Sequence, residues 1–245
     1  MTILDYAKKT IYPANDFGLD NEKNRKAWLA KVLCALPKTT KLLDAGAGEL
    51  GNKKYCTHLQ YVSQDICQYD GKGDGQGMHT QSWDTSKIDI VSDITNIPVE
   101  PGTFDAVLCS EVMEHLSDPN AALAEFNRIL KKGGSLIITA PFNSLTHFAP
   151  YHFSTGFNSY YFKHYLSKLN FEIIEITANG NFFSYIAQEL FRVPQIAQEY
   201  TGRRLGIFKK ILLLACIRML ANISHSDKES SKVLCYGYHI LARKK

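Results

Sequence analysis

The stretch KLLDAGAGELG, residues 41–51, decides how this chain is read. Lys41–Ala45 is a short apolar run suited to a buried strand, and Gly46, Gly48 and Gly51 follow it directly. Glycines at the end of a strand let a ligand approach the backbone, because they accept positive φ and carry no Cβ. Outward from this stretch, short apolar runs alternate with helical patterns: LQYVSQ, IDIVS, FDAVLCS, SLIITA, FEIIEIT and VLCYGYHILA. With KLLDA they make seven candidate strands. Helices or long crossovers separate the first five, as parallel pairing requires, so the pattern predicts an open α/β sheet with helices on both faces.

Asp20–Leu36 reads as an amphipathic helix with Asp20 as N-cap and Pro37 as its stop. Asp118-Pro119 opens another helix through Leu130, which Lys131-Lys132-Gly133-Gly134 is expected to close with positive charge and a left-handed glycine. A third helix is predicted over Ser154–Leu169, and Asn181–Leu220 reads as a helical insertion before the last strand. Gly71–Ser86 has no apolar period and reads as a surface loop.

The composition sets limits on function. The chain has 245 residues with 28 Lys and Arg against 24 Asp and Glu, a formal charge of +4. With 45% hydrophobic and 21% charged residues it is an ordinary globular chain, neither disordered nor fibrous. The basic excess gathers at Arg203, Arg204, Lys209, Lys210 and Arg243–Lys245, a local bias that argues against a nucleic-acid partner. Six cysteines without a C-x-x-C pair read as buried free thiols of a reducing, cytoplasmic setting. Asp5, Lys8 and Lys9 interrupt the N-terminal segment where an export signal needs an apolar run. Within Ile207–Leu220 the longest uncharged run, ILLLACI, is far short of the roughly 20 residues a span requires.

Two cofactor classes fit the glycines. G-x-G-x-x-G after a strand, with Asp65 ending the next strand about 20 residues on, permits a nicotinamide dinucleotide and hence an NAD-dependent oxidoreductase. Asp44, just before the first glycine, weighs against it, since a carboxylate there repels a pyrophosphate but suits a cationic ligand. S-adenosylmethionine carries an ammonium and a sulfonium and no phosphate.

The order of motifs resembles the class I S-adenosylmethionine-dependent methyltransferases, from about Lys41 to Phe142 and more loosely to the end. The match consists of Leu42–Gly48 at the first strand, Asp65 after the second, Ser92-Asp93-Ile94 after the third, Phe104–Val107 opening the fourth and Lys132-Gly133-Gly134 before the fifth. Ser110–Leu116, SEVMEHL, looks like the small-molecule, UbiE-like (methyltransferase type 11) branch. The resemblance implies a Rossmann-like, seven-stranded, mostly parallel sheet whose last strand is antiparallel. It also implies one methyltransferase domain over residues 1–245: a helical cap (1–39), a cofactor core (40–142), an acceptor loop and helix (143–170), the insertion (181–220) and the last strand (233–243).

Roles follow from chemistry and resemblance together. Asp65 suits the ribose hydroxyls and Ile66 the adenine face, with Asp70 as the other candidate for the ribose. The resemblance gives Asp93 and the Ile94 amide to the adenine edge, against a plain reading of Asp93 as a turn cap. Asp44, Ala45, Gly46, Ala47 and Gly48 cradle the methionine and adenosyl parts, and Ser110 and Glu111 line the pocket. Glu111 and His115 stand i and i+4, so a helical turn would put them on one face, either lining the pocket or simply paired.

The segment PFNSLTHFAPYHFSTGFNSYYFKHY, residues 141–165, gathers histidines, tyrosines and phenylalanines into an expected acceptor pocket. His147, His152 or His115 would be the base for a hydroxyl acceptor, unless these rings only pack. His147 and His152 alone lack a third ligand, so no metal site is expected. The expected reaction is methyl transfer to a small molecule, a hydroxyl of a sugar or other biosynthetic intermediate, with a lipid or quinone-like acceptor as the nearest alternative. A non-catalytic adenosylmethionine-binding partner is a further option. For the insertion, core packing or a homodimer seam, a lid, and peripheral membrane contact through Lys209, Lys210 and Ile211–Leu214 all stay open.

Overall fold

The computed structural model describes residues 16–80 and 82–245; the N-terminal segment read for an export signal, the start of the helical cap and Gln81 lie outside them. Seven strands form one sheet in the order β3-β2-β1-β4-β5-β7-β6. They are β1 (Lys41–Ala45), β2 (Gln60–Asp65), β3 (Ile90–Val91), β4 (Phe104–Ser110), β5 (Leu130–Pro141), β6 (Phe171–Asn179) and β7 (Gly237–Lys244). β1 pairs in parallel with β2 and β4, β2 with β3 and β4 with β5, while β7 runs antiparallel to β5. All seven sequence-predicted strands are present, and β7 is antiparallel as the resemblance implied. The strand order reverses between β1 and β4, and ligands of open α/β sheets bind at the carboxyl ends of strands flanking such a reversal.

The helices are α1 (Asn21–Cys34), α2 (Pro119–Ile129), α3 (Ser159–Lys168), α4 (Phe182–Thr201) and α5 (Ile207–Ser224). α1 buries Trp28, Leu29, Val32 and Leu33 against Leu42, Ala106, Leu108 and Ile137 of the sheet. α2 begins as predicted: the Asp118 carboxylate accepts from the amides of Asn120 and Ala121 at 3.1 and 2.9 Å, with Pro119 at the first turn.

Several boundaries differ from the sequence reading; the first helix, for one, ends at Cys34 rather than Leu36. α2 ends at Ile129, and Lys131–Gly134 is not its cap but an irregularity in β5, between the pairings Phe104↔Leu130 and Ala106↔Ser135. The third helix starts at Ser159 rather than Ser154, because Asn158 caps it and the amides of Phe153 and Ser154 are spent on the carbonyl of Glu114. β3 keeps only two residues. β7 begins at Gly237, after a 3-10 turn over Ser230–Lys232. Of the six free cysteines, Cys56, Cys109 and Cys235 are buried, Cys67 and Cys216 half-buried and Cys34 exposed, so the expectation of six buried thiols holds for three.

The chain divides into two compact units. Arg25–Thr177 with Gly237–Lys245 carries the sheet and the candidate site. The other unit holds the described residues up to Asn24 together with Ala178–Tyr236. There α4 starts in a capping box between Asn181 and Ser184, and α4 packs on α5. α5 buries Leu214, Ile217 and Ala221 and exposes Phe208, Leu212, Met219 and Ile223 on its opposite face. No helix among the described residues is long and apolar enough to cross a membrane.

Candidate functional site

The glycine turn leaves β1 at the strand-order reversal. Gly46 and Gly48 have φ of +74° and +51°, and a Cβ on them would come within 2.5 Å of Val112 and 2.6 Å of the Trp83 ring. Both positions therefore require glycine. The amides of Gly46 and Ala47 donate to the carbonyl of Gln64 at 2.8 and 2.9 Å, and that of Gly48 to Asp65 Oδ2 at 2.9 Å. Gln64, buried at the end of β2, also donates from Nε2 to the Ser92 carbonyl at 2.7 Å, tying the turn to β3. Sequence reasoning passed over Gln64, although an amide inside an otherwise buried strand is a signal that something must satisfy it. No α-helix follows the glycines; a 3-10 turn, Lys53–Tyr55, stands in its place, and a Cβ added to Gly51 would meet nothing within 4 Å.

The acidic residues of this cradle differ in their surroundings. Asp44 and Ala45 are buried; the Asp44 carboxylate, 1% exposed, accepts from Tyr61 OH at 2.7 Å. Burial pushes its pKa up to about 6, against the hydrogen bonds from Tyr61 and Asn52, and the Asp65 charge adds to the rise. Asp65, half-buried, also takes the Cys67 amide at 2.8 Å, and Ile66 beside it is 44% exposed. Asp93 is exposed and caps its own turn through the Thr95 amide and hydroxyl, both at 2.8 Å, while the Ile94 side chain is buried. Asp70 is likewise engaged by the amides of Lys72 and Gly73.

After β4, Ser110 Oγ lies 2.8 Å from Thr139 Oγ1, and Glu111 turns into a left-handed conformation at φ +56°. That turn corrects the expected helical face. Glu111 bonds Arg25 Nη1 at 3.0 Å, whereas His115 lies on a 3-10 turn (Met113–His115) and directs Nδ1 to the Tyr151 carbonyl at 2.6 Å.

The three candidate histidines come together. Ring centroids are 4.6 Å apart for His115 and His147, 5.0 Å for His147 and His152, and 5.9 Å for His115 and His152. Burial, and then the neighbouring His147, lowers the pKa of His115 to about 4 and also lowers that of His152. Glu114, on the same turn as His115, is 1% exposed, and burial followed by the Glu111 charge pushes its pKa up to about 8. Its Oε1 stands 3.8 Å from His115 Nε2 and 3.9 Å from His147 Nε2.

Two loops enclose this cluster. Met78 bridges to His147, the Met78 amide donates to the Thr146 carbonyl at 3.2 Å, and the Phe148 amide donates to that of Met78 at 3.0 Å. Tyr69 and Trp83 pack on Phe148 with centroids 4.5 and 5.3 Å away, and Phe148 stacks on His115 at 5.1 Å. Trp83 was missed, although a tryptophan in a glycine-rich polar loop is a visible signal. Tyr160, Tyr161 and His164, expected in the pocket, belong to α3, with Tyr160 and His164 exposed.

Comparison with known proteins adds the following. Residues 43–138 match the family described as a methyltransferase domain. A sarcosine/dimethylglycine N-methyltransferase of Halorhodospira halochloris is 27% identical over 103 residues, 41% of this chain and 37% of that protein. A ubiquinone biosynthesis O-methyltransferase of Xanthomonas campestris is 45% identical over 40 residues, 16% of this chain and 17% of that one. The chain thus spans well under half the length of these curated relatives. The crystal structure of a SAM-dependent methyltransferase from Archaeoglobus fulgidus shares the fold over 100% of both chains, with a TM-score of 0.56 at 17% identity.

Proposed function

We propose that this chain, which through residues 43–138 belongs to the class I S-adenosylmethionine-dependent methyltransferases, transfers a methyl group from that cofactor to a hydroxyl of a small molecule such as a sugar or other biosynthetic intermediate. The observation that carries the cofactor reading is the glycine turn at the strand-order reversal with no α-helix behind it. A dinucleotide needs a helix N-terminus for its pyrophosphate, and a 3-10 turn of three residues offers little of that field. A cofactor without phosphate needs only close backbone approach and carboxylates.

In this reading Asp65 receives the ribose hydroxyls on the acceptor sites its two amide bonds leave free, and Ile66 packs on the adenine. Asp93 and the Ile94 amide meet the adenine edge. Asp44, sealed beneath the turn, fixes the loop around the methionine part and supplies negative charge. Val112 and Trp83, against Gly46 and Gly48, wall the cradle toward the acceptor.

Methyl transfer needs the acceptor oxygen in line with the S–CH3 bond, and a base nearby to take its proton. His152, beside His115 and His147, is placed to take that proton, while the Nε2 atoms of His115 and His147 face Glu114. The panel of Tyr69, Trp83 and Phe148 supports a second reading, a planar quinone-like acceptor. The apolar stripe of α5 supports a contact with a second copy of the chain or with a membrane surface, which sedimentation and vesicle flotation separate.

Incubation with methyl-labelled S-adenosylmethionine and fractionated metabolite pools tests the activity. Label should enter a small hydroxylated compound and disappear with Asp65→Ala; transfer to no pool, with the cofactor bound, would leave a binding protein.

A further inference from the structure

We propose that Glu114, His115 and His147 bind a divalent transition-metal ion beside the glycine cradle. One carboxylate oxygen and two imidazole nitrogens lie within 4.8 Å of one another, contributed by the turn after β4 and by the loop after β5.

The tautomers are fixed by their partners. A carbonyl can only accept, so His115 Nδ1–H donates to Tyr151 and His147 Nδ1–H to Leu145, at 2.6 and 2.8 Å. In the neutral ring each Nε2 then carries the lone pair, and both stand closest to Glu114 Oε1. Outer hydrogen bonds of this kind orient metal-binding histidines. At 3.8 and 3.9 Å the Nε2···Oε1 separations are too long for hydrogen bonds. Around a tetrahedral ion with bonds near 2.1 Å the ligand atoms stand roughly 3.4 Å apart, so a small contraction closes the site.

A second observation points to a ligand. Glu114 Oε2 and His115 Nε2 are buried and have no hydrogen-bond partner. His147 Nε2 stands beside them, so a buried carboxyl and two imidazole nitrogens face one another with no hydrogen bond between them, an arrangement that a bound cation would satisfy. The nearby cation, Arg25, is committed to Glu111. The two loops are locked together, since the Glu114 carbonyl accepts from the amides of Phe153 and Ser154 at 2.9 and 3.1 Å. The ligand atoms are thus held in place by the backbone.

Two imidazoles and one carboxylate select zinc, iron(II), cobalt(II) or manganese(II) rather than the all-oxygen preference of magnesium or calcium. Three protein ligands leave a position open, as in catalytic rather than structural sites. This last step rests on the methyltransferase reading: an acceptor hydroxyl bound there loses its proton to His152 or water, the oxygen forms its bond to the methyl carbon, and the S–C bond breaks to leave a neutral thioether.

Metal binding is measured without methyl donor, so its failure and the failure of methyl transfer are distinguishable. The full chain, stripped with chelator and dialysed, is titrated with cobalt(II) and read by visible absorption, then with zinc by calorimetry and thermal unfolding. The expected result is one ion per chain, a Kd of about 1 μM or tighter, and a raised Tm. Glu114→Gln and His147→Ala should each weaken binding by at least about 100-fold, and Tyr160→Phe should not change it. His147 is only half-buried, so its variant tests the site even if Glu114→Gln folds poorly. Absence of a cobalt band and of a zinc-dependent Tm shift in the wild type would overturn the proposal. So would binding that persists unchanged in His147→Ala.

Discussion

Asp44 and Glu114 are both 1% exposed, yet the protein treats them oppositely. Asp44 receives a phenol and an amide, and its pKa rises only to about 6. Glu114 receives no side-chain donor, faces two imidazole lone pairs, and has Oε2 unpartnered, with a pKa near 8. A satisfied buried carboxylate shapes the loop above it. An unsatisfied one is costly to keep and is explained by what it awaits.

The largest effect should come from breaking the cradle that Asp44 supports. Gly46→Ala forces a Cβ onto a left-handed backbone and into Val112, so cofactor binding should be lost and unfolding in urea should show a deficit of about 2–3 kcal/mol. Retained affinity would mean that the turn is not the binding element.

The next test uses pH. Because burial raises the Asp44 pKa in the folded state, its contribution to stability is fully present below the unfolded value of 3.8 and is lost as pH rises through about 6. Asp44→Asn should therefore gain on the wild type by up to about 2 kcal/mol above pH 6, and by little below pH 4, in parallel urea titrations. Cofactor affinity of the wild type should fall over the same window as the carboxylate is protonated.

Tyr61→Phe makes Asp44 resemble Glu114 by removing its 2.7 Å donor. A loss of about 1–2 kcal/mol at neutral pH is expected, and no loss would erase the distinction between the two carboxylates. The smallest effect is assigned to Trp83→Ala, which uncovers Gly48. Cofactor affinity should fall by about 3- to 10-fold with global stability nearly unchanged, as calorimetry and thermal unfolding together would show.

The two carboxylates also mark where sequence reading stops. The place of Asp44 was legible, at the end of a strand just before a glycine turn, but its Tyr61 partner was not, because that contact depends on the register of β1 with β2. The cap at Asp118 was legible because its partners are local. Glu114 was visible as a residue but not as a partner of His147, because that meeting depends on two loops whose paths no periodicity encodes. The i, i+4 pairing of Glu111 with His115 failed on one backbone angle, the positive φ of Glu111, which neither composition nor spacing announces. Lys131–Gly134 looked like a helix cap because the competing demand, pairing with β4 across an irregular register, comes from a distant strand. The proposed acceptor residues meet through these non-local contacts, whereas the glycine turn proposed for the cofactor is local.

The most direct test of the account is a pair of calorimetric titrations of the full chain, one with S-adenosylmethionine and one with NADH. One-to-one binding of S-adenosylmethionine, abolished by Asp65→Ala, and no heat from NADH are expected. Saturable NADH binding with no response to S-adenosylmethionine would contradict that expectation.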